Sequence, residues 1–413
     1  MSAIARNPMN MTGNLTAMLP SLNSRKYRTP PHFIIIGNPG NRRVTLFQSA
    51  LAKLGLPPAT EIAYIDLLSG RCHLGEVVRS HSTVRIESPG RDFEVEKAIL
   101  AIGANAAAAE GSPWISREAA LQLEYDRGRI LYPRQWYLGY GIVLAQLQQQ
   151  LAECAAQNTP HYLMNSPSDI AVMFDKIECH ALCTQHYVPV PQSLGAISSF
   201  DELVVRMQAM KTRRVFVKLA HGSSASGVVA LAINGVAWQA MTTVELVQAG
   251  SEVRLYNSRH IRCYRDRSSI ATIIDALCRD RVQVEAWVPK ASMNNRTFDL
   301  RVVAIAGKAQ HVVVRLSKSP MTNLHLKNQR SEPTALMAKM GHVAWDSVLQ
   351  TCERVALIFP ESLYLGIDLL IPIRFKQSLV LEVNAFGDLL PDITHNGLDT
   401  YATEILFGLE RWH

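Results

Sequence analysis

Two carboxylates interrupt apolar segments near the carboxyl end of the chain, and together they could hold a divalent cation. In an extended strand, Glu382 and Asn384 lie on one face while Leu381 and Val383 lie on the other. Asp368 interrupts the apolar segment just upstream, and an antiparallel hairpin would place it beside Glu382. Ionised carboxylates in apolar strands are costly unless a cation neutralises them, and carboxylate and amide oxygens suit Mg²⁺. The alternative is a buried carboxylate held by an arginine or by a backbone cap.

A lysine followed by a loop of small residues indicates a phosphate-binding site. Lys218 ends an apolar, strand-like run and precedes a segment of glycine, serine and alanine that reaches Gly227. Small residues allow backbone N–H groups and hydroxyls to close over phosphates, with the lysine as a point charge beside them. The lysine precedes the loop, so the segment is not a Walker motif. The alternative is a flexible hairpin turn.

A third set of charged residues alternates along two neighbouring apolar segments. Asp299 and Arg301 share one face of an extended strand, and His311 and Arg315 share a face of the next. Guanidinium groups match the geometry of phosphate and acyl phosphate, so such a face could line an anion site. The alternative is an exposed sheet face that carries an ordinary Asp–Arg pair.

The elements that must position these residues change in type along the chain. An apolar run at 32–36, helical spacing from 44 to 54 and a second strand at 62–67 predict a small parallel α/β lobe. Helical patterns then cover 136–154 and 170–185. The segments further along are rich in β-branched residues and predict antiparallel hairpins. The predicted fold class is therefore α/β followed by α+β.

The change of class places a domain boundary near residue 165. Residues 1–31 are predicted to form a mobile extension, because polar residues, glycine and proline dominate them and they lack the apolar core of a signal peptide. The N-terminal α/β lobe is predicted at 32–165, and an α+β domain of two subdomains at 166–413.

Composition limits the classes of function. The 413-residue chain is 48% hydrophobic and 19% charged, which is typical of an ordinary soluble globular protein. Its net charge of +7 suits an anionic ligand such as a nucleotide, but no long basic run indicates nucleic-acid binding. No segment approaches the ~20 apolar residues that span a bilayer. Seven scattered cysteines argue for a reducing cytoplasm rather than a disulfide framework.

Taken in chain order, these segments resemble the ATP-grasp superfamily, and within it the ribosomal-protein glutamate ligases and their α-L-glutamate-ligase-like relatives. The likeness spans roughly residues 161–390. It is carried by Asp175-Lys176, Lys218 and its loop, Glu285-Ala286-Trp287-Val288, Asp299-Leu300-Arg301, Thr322-Asn323-Leu324-His325 and Glu382-Val383-Asn384. The resemblance implies an ATP-grasp fold preceded by a Rossmann-like (pre-ATP-grasp) lobe.

The resemblance also implies a role for each matching residue. ATP would be bound by Lys176, Lys218, Gly222, Ser223, Ser224, Gly227, Glu285, Trp287 and Val288. The backbone of Trp287 and Val288 would pair with adenine, and Glu285 would accept from its exocyclic amine. One or two Mg²⁺ ions, or Mn²⁺, would be held by Asp368, Glu382 and Asn384. Arg301, Arg315 and Asn323 would be catalytic, with the two arginines near the transferred phosphate.

The implied activity is an ADP-forming ligation of a carboxylate to an amine through an acyl phosphate. The expected partners are a carboxylate substrate and an amine acceptor, which could be an amino acid, a peptide or a small metabolite. Neither nucleic acid nor a membrane is expected, and the protein could act as an oligomer. Two alternatives are a kinase that phosphorylates a hydroxyl and a nucleotide-binding scaffold without turnover.

The segment between the phosphate loop and Glu285 is longer than expected for the simplest relatives. Roughly 60 residues separate the phosphate loop from Glu285, and five arginines lie among them. These are Arg254, Arg259, Arg262, Arg265 and Arg267. They form either a solvated basic face or a surface that steers an acidic partner towards the site.

Overall fold

The protein is described by a computed structural model that covers residues 31–223, 225–250 and 252–412. Apart from Pro31, the predicted N-terminal extension lies outside the described residues, and so does Ser224 of the predicted phosphate loop. Within those ranges, no helix is long and apolar enough to cross a membrane.

The N-terminal part of the chain forms a four-stranded parallel sheet in the order β2-β1-β3-β4. Its strands are β1 (His32–Gly37), β2 (Thr60–Ala63), β3 (Ser82–Ile86) and β4 (His161–Leu163). The helices between them are α1 (Arg42–Lys53), α2 (Tyr64–Leu68), α3 (Leu74–Val77), α4 (Phe93–Glu110), α5 (Arg117–Leu121) and α6 (Pro133–Ala156). The parallel sheet confirms the α/β class predicted for this part of the chain.

The second strand is shorter than the sequence predicted. Thr60–Ala63 pairs with β1, but Tyr64–Leu68 is helical, so the predicted strand at 62–67 is wrong from residue 64 onwards. The Tyr64 hydroxyl donates to the Glu87 carbonyl at 2.7 Å and holds the ring in the core at the start of the helix. A short apolar run does not distinguish a strand from a buried helix by its periodicity.

Both faces of the first sheet are covered, because alternate residues of β1 point to opposite cores. Ile34 and Ile36 belong to the core that contains α4 and α6. Phe33 and Ile35 belong to the core that contains α1 and the last helix of the chain, α13 (Thr400–Glu410). The C-terminal helix therefore returns to the first sheet.

The second sheet is antiparallel and has the order β8-β7-β6-β5-β9. Its strands are β5 (Arg214–Leu219), β6 (Val228–Asn234), β7 (Ala237–Ala249), β8 (Glu252–Tyr264) and β9 (Val282–Ala286). Two helices share its hydrophobic core, namely α9 (Phe200–Ala209) and α10 (Arg267–Cys278). It is reached through α7 (Pro167–Phe174) and α8 (Lys176–Gln185), where the sequence predicted one continuous helix.

The arginine-rich stretch lies mainly on β8, in a hairpin whose two strands each have 13 residues. Three of the five arginines pair with carboxylates: Arg254 with Glu252 at 2.7 Å, Arg267 with Asp201 at 3.1 Å, and Arg262 with Glu245. Pairing of this kind cancels much of the positive charge at the surface. It therefore favours a solvated, ordinary face over a surface that steers an acidic partner.

The third sheet is also antiparallel, with the order β13-β12-β11-β14-β15 and with β10 paired to β11. Its strands are β10 (Ser292–Met293), β11 (Arg296–Ile305), β12 (Lys308–Ser317), β13 (Gln329–Ser331), β14 (Tyr364–Leu370) and β15 (Leu379–Asn384). Helices α11 (Thr334–Met340) and α12 (His342–Ile358) pack against it. Asp368 on β14 lies opposite Glu382 on β15, as the sequence predicted.

Helices α4 and α6 touch at two glycines. A Cβ atom on Gly139 would lie 2.0 Å from the Ile99 carbonyl oxygen, and one on Gly103 would lie 2.1 Å from the Gln135 carbonyl oxygen. Gly141 is two residues further along α6, and a Cβ there would meet nothing within 4 Å. The close helix crossing thus requires glycine, which has no Cβ atom, at positions 103 and 139, whereas position 141 has room for a side chain.

We expect Gly139→Ala to lower the free energy of unfolding by at least about 1–3 kcal/mol, because the methyl group forces the two helix backbones apart. Gly141→Ala is the matched control, and it should be neutral or stabilise by up to about 1 kcal/mol, since alanine favours a helix. Urea unfolding followed by circular dichroism measures both. Equal midpoints for the two variants would contradict the close helix crossing.

Candidate active site

A cavity open to solvent lies between the second and third sheets, and with the solvent space at its mouth it measures about 750 Å³. The charged residues that line it are Lys176, Lys218, Glu285, Lys290, Asp299, Arg315, Asp368 and Glu382. Gly222, Val288 and Asn323 line it as well. The cavity therefore brings together residues that the sequence assigned separately to nucleotide, metal and phosphoryl transfer.

Lys176 is the first residue of α8, and its neighbours direct it into the cavity. Asp175 caps the helix by accepting from two N–H groups of the first turn at 2.9 and 3.2 Å. The Lys176 Nζ donates to the Gly222 carbonyl oxygen at 2.5 Å and lies 2.9 Å from Glu382 Oε1. One ammonium group thus joins the phosphate loop to the third sheet.

A buried pair ties α8 to the base of the phosphate loop. The Nε2 of His221 lies 2.9 Å from Asp175 Oδ2, and the ring of Tyr137 stacks on the imidazole with centroids 4.0 Å apart. Burial alone would raise the pKa of Asp175, but the hydrogen bond and charge of His221 hold it at about 2. The loop and the helix therefore keep a fixed relation where Lys176 enters the cavity.

Glycines shape the predicted phosphate loop. Gly227 has a φ of +66°, and a Cβ there would lie 2.4 Å from a leucine side chain. A Cβ on Gly222 would lie 2.7 Å from the Ser226 carbonyl oxygen, and the Ser226 N–H donates to the Ser223 carbonyl at 2.8 Å. The cavity is lined here by Gly222, Ala225 and Ser226. Gly227 and Ser223 therefore form the turn rather than the lining.

Lys218 on β5 and Glu285 on β9 form a buried ion pair in the cavity lining. The Lys218 Nζ lies 2.5 Å from Glu285 Oε1, and the Glu285 side chain is 1% exposed. The other oxygen, Glu285 Oε2, is buried and has no hydrogen-bond partner among the described residues. Buried polar atoms in native proteins nearly always have partners, so this oxygen is suited to a donor on a ligand.

We call residues 286–288, at the end of β9, the hinge, and its backbone differs at Trp287 from the predicted pairing with adenine. The Trp287 N–H donates to the Arg214 carbonyl at 3.1 Å, and its indole contacts Phe216 with ring centroids 5.3 Å apart. Ala286 and Val288 line the cavity on either side of it. The N–H of Trp287 is therefore engaged within the protein, and this residue could offer adenine only its carbonyl group.

Lys290 also lines the cavity, although the sequence motifs did not predict a role for it. Its Nζ donates to Asp299 Oδ2 at 3.1 Å and to the Thr322 hydroxyl at 2.8 Å, and burial lowers the pKa of this lysine. It is the only charged residue between Glu285 and Arg296. An isolated charge directly after the hinge was the signal that could have identified it.

The two arginines predicted to act in catalysis converge on Asp368. The Arg301 Nη2 lies 2.9 Å from Asp368 Oδ2, and its Nε donates to Oδ1. The Arg315 Nη2 lies 3.1 Å from Asp368 Oδ1, while its Nε donates to Asp299 Oδ1 at 2.7 Å. Burial alone would raise the pKa of Asp368, but the charges of Arg301 and Arg315 hold it at about 2. Arginines thus hold this buried carboxylate, and the carboxylate also lines the cavity.

A β-bulge changes the environment of Glu382. The strand register shifts after Asp368, where Leu369 pairs with Val380, so Leu381 is the extra residue of the bulge. Leu381 and Glu382 both line the cavity, whereas strict alternation placed Leu381 on the opposite face. A bulge re-aims side chains in this way because two residues on one strand oppose one on its partner.

The predicted metal ligands offer only oxygen atoms. Asp368 and Glu382 are opposite each other, and Asn384 follows on the same face with its amide nitrogen donating to the Gly366 carbonyl at 3.3 Å. In the part of the chain that is described, no group of three or more His, Cys, Asp and Glu side chains could hold a metal unaided. Mg²⁺ commonly combines one or two carboxylates with substrate phosphates, so these residues fit a Mg²⁺ that binds together with a phosphate.

We expect Lys218→Met to lower the free energy of unfolding by about 3 kcal/mol, because it leaves Glu285 as an unpaired buried charge. Adding Glu285→Gln should recover most of that loss. The exposed Lys318 provides a control for the loss of one positive charge, and Lys318→Met should change stability little. If the double variant is no more stable in denaturant titrations than Lys218→Met alone, the two side chains do not depend on each other.

No family model matches this sequence, and no curated protein matches it. Among solved structures, the chain is similar to the D-cycloserine synthetase DcsG, with 11% identity, coverage of 92% of this chain and 100% of that chain, and a TM-score of 0.51. It is similar to the ATP-grasp ligase PsnB complexed with a phosphomimetic variant of a minimal precursor, Mg and ADP (14% identity, 92% and 99% coverage, TM-score 0.48). It is also similar to the D-alanine–D-alanine ligase from Bacillus anthracis complexed with ATP (9% identity, 93% and 100% coverage, TM-score 0.46). With its one parallel and two antiparallel sheets, the chain shares the fold of DcsG, and the mixture of sheets confirms the predicted class of α/β followed by α+β.

Proposed function

We propose that this protein is an ATP- and Mg²⁺-dependent ligase that joins a carboxylate to an amine and releases ADP and phosphate. The observation that carries the proposal is that Lys176 and Lys218 share one cavity with the opposed carboxylates Asp368 and Glu382. Ammonium groups bind phosphates, and opposed carboxylates suit the metal that accompanies them. DcsG, which has a similar fold, is named as a synthetase, and this supports the same class of activity.

The nucleotide would lie between the second and third sheets. Lys218 and Lys176 would bind its phosphates after leaving their carboxylate partners, and the loop at Gly222 would close over them. Adenine would lie beside Val288, where the unpartnered Oε2 of Glu285 could accept a hydrogen bond from the exocyclic amine. This placement satisfies the buried acceptor.

The metal would be held by Asp368, Glu382 and Asn384 together with phosphate oxygens. When bound, Mg²⁺ neutralises charge on the phosphoryl group and helps to align the reacting atoms. Asp368 is already ionised and fixed by Arg301 and Arg315, so it offers a rigid ligand. Among the described residues, Glu382 has one ion-pair partner, Lys176, and would exchange it on binding the metal.

The substrate carboxylate would attack the γ-phosphate of ATP, giving an acyl phosphate and ADP. The amine would then attack the acyl carbon and displace phosphate, losing a proton as the amide forms. Arg301 and Arg315 would stabilise the charge on the acyl phosphate and on the tetrahedral intermediate. Asn323, in the cavity lining, would orient the transferred group. Positioning and electrostatics would supply the rate.

Two other functions would use the same cavity. A kinase would transfer the γ-phosphate to a hydroxyl, and a scaffold would bind the nucleotide without turnover. A scaffold has no need of opposed carboxylates in a nucleotide cavity, so Asp368 and Glu382 favour an enzyme. The release of phosphate separates the ligase from the kinase, because a kinase retains the phosphate on its product.

The substrates we propose are a carboxylate and an amine supplied by amino acids, peptides or small metabolites.

All seven cysteines of the chain are free thiols in the structure. Free thiols are typical of a reducing compartment, so we place the activity in the cytoplasm.

We expect the purified protein, given ATP, Mg²⁺ and pools of amino acids and peptides, to form ADP and phosphate only when a carboxylate and an amine are both present. Glu382→Ala should lower this turnover by at least about 100-fold, because it removes a metal ligand. The control is Glu353→Ala, which removes a surface carboxylate paired with Lys308 at 3.4 Å, and it should retain the activity. Coupled ADP and phosphate assays with product mass measure all three.

Each other outcome points to a different function. ADP formed without phosphate release, in the presence of a hydroxyl compound, would establish a kinase. Near-normal turnover by Glu382→Ala would refute the metal assignment. Nucleotide binding without ADP formation across all pools would support the scaffold.

A further inference from the structure

The chain that follows β15 is fixed by side chains from three parts of the molecule. We call residues 385–388 the strand extension, because they continue directly from the candidate metal ligand Asn384. Its backbone carbonyls accept hydrogen bonds from Asn165 at Ala385 (3.2 Å), from Arg43 at Phe386 and from Arg301 at Gly387 (3.1 Å). These three hydrogen bonds hold the backbone of the strand extension in place, which an exposed connection would lack.

Asp388 ends the strand extension and is buried between two arginines of the N-terminal lobe. Its Oδ1 accepts from Arg43 Nη1 at 2.6 Å, and its Oδ2 accepts from Arg85 Nη2 at 2.5 Å. Burial alone would raise the pKa of Asp388, but the charges of Arg85 and Arg43 lower it. An ionised carboxylate that accepts from two guanidinium groups is a strong and directional contact.

Arg85 is a rigid anchor for this contact. It lies on β3, its side chain is 0% exposed, and it also donates to Glu87 Oε1 at 2.7 Å and to Glu404 Oε2 at 2.5 Å. The ring of Tyr364 lies 4.5 Å from the guanidinium carbon. A planar guanidinium with three carboxylate partners has one orientation available, so Asp388 is held relative to the first sheet.

Gly387 connects this anchor to the candidate metal site. A Cβ on Gly387 would lie 2.4 Å from the Gly366 Cα atom and 3.0 Å from Arg301 Nη1, so the strand extension lies directly against β14. Gly366 is opposite Asn384 in the sheet, and Arg301 binds Asp368. A displacement of the strand extension would therefore move a metal ligand and the arginine that orients another.

We propose that Asp388 is a positioning residue for the metal site. By binding Arg43 and Arg85 it fixes the strand extension, and thereby the geometry of Glu382 and Asn384, without itself touching metal or substrate. This inference rests on the proposed function, since it assigns a purpose to the geometry of the metal ligands. It also makes the N-terminal lobe a part of the catalytic unit.

The chain offers a matched control for this proposal. Glu404 binds the same guanidinium as Asp388, at the same distance, but it lies on α13 outside the strand extension. A residue that only stabilises the fold should behave like Glu404. A positioning residue should differ from Glu404 in how the protein responds to Mg²⁺.

The experiment compares Asp388→Asn with Glu404→Gln by calorimetric titration of ADP at a series of Mg²⁺ concentrations, together with thermal unfolding of the free protein. In Asp388→Asn, the Mg²⁺ concentration that gives half of the enhancement in ADP affinity should rise about 10- to 100-fold, as expected when a residue supporting metal ligands is lost. Its ADP affinity without Mg²⁺ should stay unchanged. In Glu404→Gln, the Mg²⁺ dependence should match the wild type even though the melting temperature falls.

Equal Mg²⁺ dependence in the two variants would overturn the proposal and leave Asp388 a residue of the fold alone. If Asp388→Asn does not fold, Arg43→Met supplies the test, because it removes the guanidinium that donates to Asp388 Oδ1 and to the Phe386 carbonyl. An unchanged Mg²⁺ dependence in Arg43→Met would then overturn the proposal. A wild-type protein that binds no ADP with Mg²⁺ would instead refute the proposed function, and this inference with it.

Discussion

The buried and half-buried charges at the cavity neutralise one another, and the architecture of the site follows from that requirement. Removing a charged group from water costs several kcal/mol, so each buried side chain needs a counter-charge with good geometry. The pairs are Lys176–Glu382, Lys218–Glu285, Lys290–Asp299 and the contacts of Arg301 and Arg315 with Asp368. Most of these pairs join different elements, and Lys176–Glu382 joins α8 to the third sheet. The same contacts that stabilise the cavity therefore set the separation of its walls.

This arrangement also prepares the cavity for a highly charged ligand. Among the described residues, four cations and four carboxylates line the cavity, so the empty cavity carries little net charge. In the proposed function, a nucleotide with its metal would bring phosphates for Lys176 and a cation for Glu382, and both members of the ion pair would gain new partners in one event. Metal and nucleotide should therefore bind with positive coupling, because each frees the group that the other requires. A lone nucleotide would instead have to displace Glu382 without compensation.

The periodicity of apolar residues predicted much of this fold. The features that it did not predict depend on contacts between residues distant in the sequence. Period-two alternation and a short connection were enough to place Asp368 opposite Glu382, because register in a half-buried hairpin is strongly specified. The same alternation failed at Leu381, since a bulge depends on how the partner strand packs rather than on its own sequence. The contact between Arg85 and Asp388 joins residues more than 300 positions apart, and no periodicity indicates it. The roles of the site residues stay predictions, because they depend on ligands that bind there.

The coupling of metal to nucleotide through the Lys176–Glu382 ion pair can be measured without knowing the substrates. ADP is titrated calorimetrically into the wild type and into Glu382→Gln, each with and without Mg²⁺. We expect Glu382→Gln to bind metal-free ADP more tightly than the wild type, because Lys176 is already free for phosphate. We also expect Mg²⁺ to strengthen ADP binding in the wild type and to have little effect in the variant. Weaker metal-free binding by Glu382→Gln, with the Mg²⁺ enhancement intact, would contradict this coupling.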